Sequence, residues 1–366
     1  MNLKSLSDKQ LLALKAKTEG DINRYDIIQK TRKIQLNSAY GALGTPYFRF
    51  FDVDIAESIT LSGRLVYGWM AEKINTKLNS IIGTDGVDYI VASDTDSWYI
   101  SLSKVVEKKF TEEVDIQQKV DFVDDFCKQV MDQIFVEGSQ ELAEYTNAYK
   151  NSMSVKREAI ADKGLWSIKK RYAMNVYDLE GVRFQEPKIK VVGGDVVKSS
   201  TPSMCKQAIR KVIEMILTKN EKDVKVFVSD FKSQFMQSKP EEIASTVSIS
   251  KLDYELATGK FKLGTPYHCK GAIVYNKMLE ERSLQKKYLK IHEGDKAYVV
   301  ALKPKNMANA QWIAFPDVLP KEFGLERFID YDKQFEKSFL TPVEGYLNVI
   351  GWKAQDGNCI EDVLFG

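Results

Sequence analysis

Apolar and polar positions follow two rhythms along the chain. From Asp8 to Gly41 apolar residues recur at helical spacing, and no proline or interior glycine interrupts Asp21 to Tyr40. Gly20 followed by Asp21 offers a break or a new N-cap, and Pro46 closes the segment. Asp54 to Leu78 predicts a second long helix, with Ile55, Ile59, Leu65, Met70 and Ile74 as its apolar contacts. A hairpin pattern follows: Tyr89 to Ala92 is strand-like, Ser93 to Ser97 is polar, and Trp98 to Ile100 is strand-like again. Helices are predicted across Val105 to Thr146, then a strand pair around Arg171 to Tyr177 with Gly181 as its turn. Further helices are predicted over Ala208–Leu217 and Val224–Met236, and strands over Gly271–Tyr275 and Ala297–Leu302. The Gly-, Ser- and Pro-rich stretch Gly193 to Pro202 is the best linker candidate.

At 366 residues the chain is long enough for about two to three domains. Its 44% hydrophobic and 28% charged residues exclude a wholly disordered, collagen-like or disulfide-scaffold protein. Lys plus Arg (53) nearly balances Asp plus Glu (51), so a nucleic-acid surface must come from segregated charge. Such segregation exists. Val105 to Thr146 carries eleven acids against four bases, and Lys156 to Lys198 ten bases against six acids. The cysteines Cys127, Cys205, Cys269 and Cys359 are scattered, and with only His268 and His292 beside them they fit a reducing compartment better than a zinc cluster. Met1 to Lys9 lacks a signal-peptide pattern, and no apolar run reaches the ~18–20 residues that span a bilayer. The expectation is a soluble, intracellular protein with no membrane partner.

Ser93-Asp94-Thr95-Asp96-Ser97 sits between two apolar strands. Carboxylates two apart at a hairpin tip can point at one cation, and Mg²⁺ takes one or two carboxylates together with substrate phosphates. A plain polar turn explains the same residues, since Asp, Thr and Ser are turn formers. Lys33, Asn37, Tyr40 and Gly44 fall within about 60° of one another around a helix. Lys would neutralise phosphate, and Tyr40 beside Gly41 would leave a flat floor under a base pair. An amphipathic helix with a solvated lysine and a core tyrosine is the competing account.

These residues resemble motifs of family B DNA polymerases. Lys33 to Gly41 is similar to the family's nucleotide-binding helix motif K-x-x-x-N-S-x-Y-G, and Asp94-Thr95-Asp96-Ser97 to its D-T-D-S motif. Lys169-Lys170-Arg171-Tyr172 resembles the K-K-R-Y motif that contacts the primer end. Arg157-Glu158-Ala159-Ile160, Ser199-Ser200-Thr201-Pro202, His268 in its Pro-Tyr-His context and the terminal Leu364-Phe365-Gly366 resemble the T-even phage branch. Four motifs in order make chance improbable. Three positions depart from the pattern. Ser93 replaces a glycine, Trp98 replaces a smaller apolar residue, and Lys156 stands where the branch has an acid, so Glu158 is expected near the metals rather than on them.

The resemblance implies an α+β fold: a palm with an antiparallel sheet and packed helices, partial helical fingers, and a mixed α/β thumb. It implies fingers over 1–45, palm over 46–194 and thumb over 195–366. Lys33 would bind the incoming dNTP triphosphate, with Asn37, Tyr40 and Gly41 lining the nascent base-pair pocket. Asp96 would ligate metal directly and Asp94 support it; Asp96, Asp94 and Lys33 would be the catalytic set. Lys169, Lys170, Arg171 and Tyr172 would hold the primer, and Lys188 and Lys190 extend a basic stretch interleaved with Tyr172, Tyr177 and Phe184. Leu364 and Phe365 would anchor a tail on a sliding clamp.

The family holds two Mg²⁺ ions between two acidic motifs, and the other, D-x-x-S-L-Y-P, is nowhere in the 366 residues. The expectation is therefore the C-terminal subunit of a split, phage-encoded DNA polymerase acting in the host cytoplasm, inactive until an N-terminal polymerase subunit supplies the opposite flank. Its partners would be that subunit, primer–template DNA and a sliding clamp. Two alternatives stand beside it: a non-catalytic DNA- and sliding-clamp-binding protein that uses the acidic turn structurally, and a different metal nucleotidyl transferase working alone.

Overall fold

Helix starts and stops follow local chemistry. Ser7 opens α1 (Asp8–Leu43), its N–H donating to Gln10 Oε1 at 2.9 Å. Gly20 does not break this helix. An interior glycine costs about 1 kcal/mol, which the strong helix formers Leu11 to Lys17 before it help to offset, with the i,i+4 pair Lys30–Asp26 at 2.6 Å after it. Asp52 caps α2 (Val53–Ile82), accepting the Ile55 N–H at 3.0 Å, and left-handed Gly83 ends it.

The computed structural model describes residues 6–250, 252 and 260–355. They form two units, the first comprising residues up to Glu113 and Asp125–Lys156, the second Val114–Asp124 and everything from Arg157. The first unit holds α1, α2, the hairpin β1 (Ile90–Asp94) and β2 (Ser97–Ile100), and α3 (Ser103–Lys109). α4 (Ile116–Phe126) begins in the second unit; its last two residues, a π turn over Cys127–Met131 and α5 (Asp132–Tyr145) belong to the first. The core of this unit includes Met70, Ile74 and Leu78 of α2 with Tyr89, Val105, Met131, Ile134 and Leu142. α2 and α5 meet closely at Gly138: a Cβ there would lie 2.9 Å from Met70 Sδ, and the Gly138 carbonyl accepts Trp69 Nε1–H at 3.0 Å.

The second unit begins with the antiparallel sheet β3 (Ala159–Ile168), β4 (Arg171–Leu179) and β5 (Val182–Val192), in that order. β4 is the middle strand and is buried from Tyr172 to Val176. After it come α6 (Ser203–Thr218), α7 (Glu221–Met236), α8 (Pro240–Ile243), β6 (Ser245–Ser248), α9 (Tyr267–Glu281), β7 (Lys296–Ala301), β8 (Trp312–Phe315), α10 (Tyr331–Phe335), a π turn and α11 (Thr341–Leu347). β6, β7 and β8 form a second antiparallel sheet. Val224, Val228, Phe231 and Phe235 line one face of α7 at helical spacing, and the rings of Phe231 and Phe235 pack on Phe335 and Phe339 with centroids 4.6–6.1 Å apart.

The α+β architecture with small antiparallel sheets and packed helices is the expected one. Three local expectations need correction. Of the apolar contacts expected along α2, Met70 and Ile74 are buried but Ile55, Ile59 and Leu65 are exposed. Gly271 to Tyr275 is not a strand but the middle of α9, whose buried residues include Cys269, Gly271, Ala272, Ile273 and Tyr275. A helix buried this fully reads as a continuous apolar run, which periodicity alone cannot tell from a strand. Gly193 to Pro202 is not a flexible join between compact units. It lies within the second one, where Leu165 and Ala173 before it share a core with α6, α7, α9 and α11 after it.

Asp178 organises the first sheet of this unit. Its side chain is 2% exposed and takes Arg157 Nη1 at 2.6 Å, Arg183 Nε at 3.3 Å and the Gly181 N–H at 3.0 Å. Arg157 also pairs with Asp124 at 2.9 Å and Arg183 with Asp121 at 2.8 Å, so α4 is tied to the β4–β5 turn. Removing Asp178 takes away the one fully buried carboxylate between two partly buried arginines and leaves them close together, with Asp124 and Asp121 as their remaining partners. Asp178→Ala should lower unfolding free energy by about 3–5 kcal/mol with little change in the urea m-value. A loss below about 1 kcal/mol would show that the network is solvated.

Candidate functional site

The acidic hairpin is held at its base by two asparagines. Asn75 and Asn79 stand one turn apart on α2. Asn79 Oδ1 accepts the Val87 N–H (3.1 Å) and its amide donates to the Val87 carbonyl (2.7 Å). Asn75 Oδ1 accepts the Tyr89 N–H (2.9 Å) and its amide donates to Asp88 (2.8 Å). Asp88 also accepts the Ile90 N–H at 2.9 Å, and these two bonds, the backbone one first, hold its carboxyl below the usual carboxylate range. Farther along, Trp98 on β2 stacks on Tyr67 (centroids 5.9 Å, 6° between planes) and packs on Phe135 at 5.5 Å. The tip is thus mounted on α2 and α5.

At the tip, Asp94 pairs with Ser97 across a two-residue connection. Thr95 has φ +59°, a left-handed conformation that a β-branched side chain seldom adopts. The Asp96 N–H donates to the Asp94 carbonyl at 2.7 Å, making a three-residue turn of the strained positive-φ kind. Ser97 Oγ donates to the same carbonyl at 3.1 Å and Thr95 Oγ1 to Asp94 Oδ1 at 3.0 Å. Asp96 is exposed and Asp94 half-buried. The pair offers the hard oxygen donors that Mg²⁺ prefers, but two carboxylates do not complete its near-octahedral shell. No cluster of three or more acids, histidines or cysteines suited to a metal occurs among the described residues.

The same unit carries the lysine face. Lys33 and Asn37 share a shallow surface of α1 with Tyr25, Ile28, Gln29, Arg32 and Leu36. Tyr40 is 44% exposed and Gly41 is exposed. No described residue of α1 is buried, so neither Tyr40 nor its apolar neighbours serve a core here.

In the second unit Lys169 and Lys170 form the exposed β3–β4 turn, with Lys170 at φ +63°, and Ile168 pairs with Arg171 below it. Tyr172 is only 6% exposed and stacks on Trp166 (6.3 Å, 21°), so the turn presents cations rather than that ring. Lys188 lies 4.0 Å above the Phe184 ring, and Lys190 pairs with Glu158, which orients that acid toward the sheet's own cation. His268 packs edge-on against Tyr267, and burial, with Lys337 adding to it, lowers its pKa. Leu364 and Phe365 lie outside the described residues. No described helix is long and apolar enough to cross a membrane. The asparagine clamp, Thr95 and the Trp98 mount were not predicted. Only Asn75 and Asn79, polar residues one turn apart ahead of a Gly-rich turn, left a trace in the sequence.

The model of DNA polymerase family B matches residues 7–350. The DNA-directed DNA polymerase of Enterobacteria phage T4 is 35% identical over 92% of this chain and 38% of its own length. That of Escherichia phage RB69 is 33% identical over 87% of this chain and 36% of its own. The DNA polymerase alpha catalytic subunit of Xenopus laevis is 26% identical over 55% of the chain and 11% of its own length. The chain therefore spans just over a third of the phage relatives it matches.

The Asp88 clamp sets a pH dependence. Its carboxyl has a depressed pKa in the folded state, so its contribution is fully present above the ordinary value and is lost as pH falls through the folded value. Between about pH 5 and pH 2, wild type should lose more stability than Asp88→Asn in acid–urea titrations. Parallel curves would show that Asp88 does not help mount the hairpin.

Proposed function

The chain belongs to DNA polymerase family B, and on that premise we propose that it supplies one flank of a template-directed nucleotidyl-transfer site. The carrying observation is the Asp94–Asp96 hairpin, two carboxylates on a strained and well-mounted tip with no third acid beside them among the described residues. The opposite flank comes from a polypeptide bearing the D-x-x-S-L-Y-P motif, an N-terminal polymerase subunit. In family terms, residues 1–45 are the end of the fingers, 46–194 palm and 195–366 thumb.

In this reading Asp96 ligates metal directly and Asp94 supports it, each of two Mg²⁺ ions being shared with the other subunit. Bound magnesium would supply charge neutralisation at the transferring phosphate. Lys33 binds the dNTP triphosphate. Asn37, Tyr40 and Gly41 line the nascent base pair, the exposed Tyr40 ring serving as a flat floor. Lys169, Lys170 and Arg171 hold primer phosphates, with Tyr172 bracing the turn from beneath and Lys188 and Lys190 extending the track. Glu158, already held by Lys190, stays off the metals. Leu364 and Phe365 anchor a sliding-clamp tail, and the assembled enzyme works on primer–template DNA in the cytoplasm of a phage's host.

Exposed apolar surface supports a covering partner. Tyr47 is 97% exposed, Phe48, Phe50 and Phe51 are exposed beside it, and so are Val53, Ile55, Ile59, Leu61 and Leu65 in the first half of α2. Met70, Ile74 and Leu78 in its second half are buried. A run of this kind is a liability unless another polypeptide packs on it.

Primer extension tests the reading. Mixed with a polypeptide carrying the missing motif, at saturating dNTP and Mg²⁺, the chain should extend primers, and Asp96→Asn in the mixture should lower the rate at least about 100-fold. If Asp96→Asn changes nothing, the turn only shapes the hairpin and the non-catalytic DNA- and clamp-binding reading takes its place. Lys169→Ala should weaken primer–template binding and reduce the log–log salt slope by about one.

A further inference from the structure

β5 ends beside the cationic turn, Val192 pairing with Tyr172, and two left-handed glycines follow at φ +67° and +71°. A Cβ on Gly193 would lie 2.0 Å from the Lys170 carbonyl oxygen, so the chain runs directly against the backbone of the turn. A Cβ on Gly194 would lie 2.3 Å from Tyr346 Oη and 3.8 Å from Arg171 Cδ. Three distant parts of the sequence therefore meet at one point: the turn, the glycine pair and α11.

Tyr346 is 2% exposed, and its hydroxyl has no hydrogen-bond partner among the described residues. A buried hydroxyl without a partner costs free energy, and a phenylalanine ring would fill the core as well. The oxygen's contribution lies in what it holds. It lies directly over Gly194, the residue next to the one that runs against the Lys170 carbonyl.

We propose that Tyr346 is a positioning residue for Arg171 and the primer-holding turn, acting through Gly194. The inference rests on the reading that this turn grips primer phosphates. A neutral phenol suits the place. Burial raises its pKa, and Arg171 and Asp195 act on it in opposite senses, so it stays protonated and places no negative charge beside the guanidinium. Asp195 is drawn to Lys198 at 2.8 Å and reaches Arg171 only at 3.8 Å. Arg171 is thus placed but not captured, and remains able to take a phosphate oxygen.

The test uses the full 366-residue chain, a fluorescent primer–template duplex and a KCl series. Tyr346→Phe should keep or raise the urea midpoint, weaken binding about fivefold and reduce the log–log salt slope by about one. Gly194→Ala should weaken binding both through the left-handed backbone, which disfavours alanine, and through the collision with Tyr346 Oη, of which only the second depends on the hydroxyl. Tyr346→Phe added to Gly194→Ala should restore part of the loss, since the nearest remaining atom is Cζ at 3.5 Å. Arg171→Ala separates the two levels. If it weakens binding while Tyr346→Phe leaves affinity and slope unchanged, the positioning role is overturned and the primer-holding reading survives. A lower urea midpoint for Tyr346→Phe with an unchanged slope makes Tyr346 an ordinary core residue and also overturns it. If Arg171→Ala itself leaves affinity and slope intact, the primer-holding reading falls and the inference with it.

Discussion

Two carboxylates on one tight turn offer hard oxygen donors to a divalent cation, and such a cation still needs ligands the turn cannot provide. Much of the first unit serves to keep such a turn in place. Its base is clamped by Asn75 and Asn79, its second strand is mounted by Trp98, and its tip is tightened through Thr95 in a conformation that residue disfavours. Strain of this kind persists only where surrounding contacts over-determine it. The clamp and the aromatic mount are those contacts.

The second unit treats positive charge in a complementary way. Arg157 and Arg183 are consumed structurally, locked on Asp178, Asp124 and Asp121. Lys169 and Lys170 stand at an exposed turn instead, and Arg171 is tied only loosely to Asp195. The same sheet thus sorts its cations into those that hold the fold and those that face outward. With Lys plus Arg nearly balanced by Asp plus Glu, the proposed nucleic-acid surface would have to come from this placement rather than from net charge.

Long periodic segments were legible in the sequence. α1 and α2 lie close to their predicted spans, and the hairpin around Asp94 and Asp96 was readable because apolar strands flank a polar tip. What failed was non-local. α9 read as a strand because burial erased its periodicity, and β3, β6 and β8 lacked the polar–apolar alternation that singles out a strand. Gly193 and Gly194 read as a linker because Gly, Ser and Pro also compose linkers. Their use, close approach to Lys170 and Tyr346, depends on residues up to about 150 positions away in sequence. Motif residues could be named from the sequence, whereas the residues that orient them could not, since those act through tertiary contact.

The central claim is that the Asp94–Asp96 turn is one half of a metal site completed by another polypeptide. Mn²⁺ binding followed by electron paramagnetic resonance tests it most directly, with Mn²⁺ standing in for Mg²⁺. The account predicts weak binding by the chain alone, tight binding once the polypeptide with the second acidic motif and a dNTP are present, and loss of the tight site in Asp96→Asn. Tight Mn²⁺ binding by the unaccompanied chain, or a tight site in the assembly that Asp96→Asn leaves untouched, would contradict it.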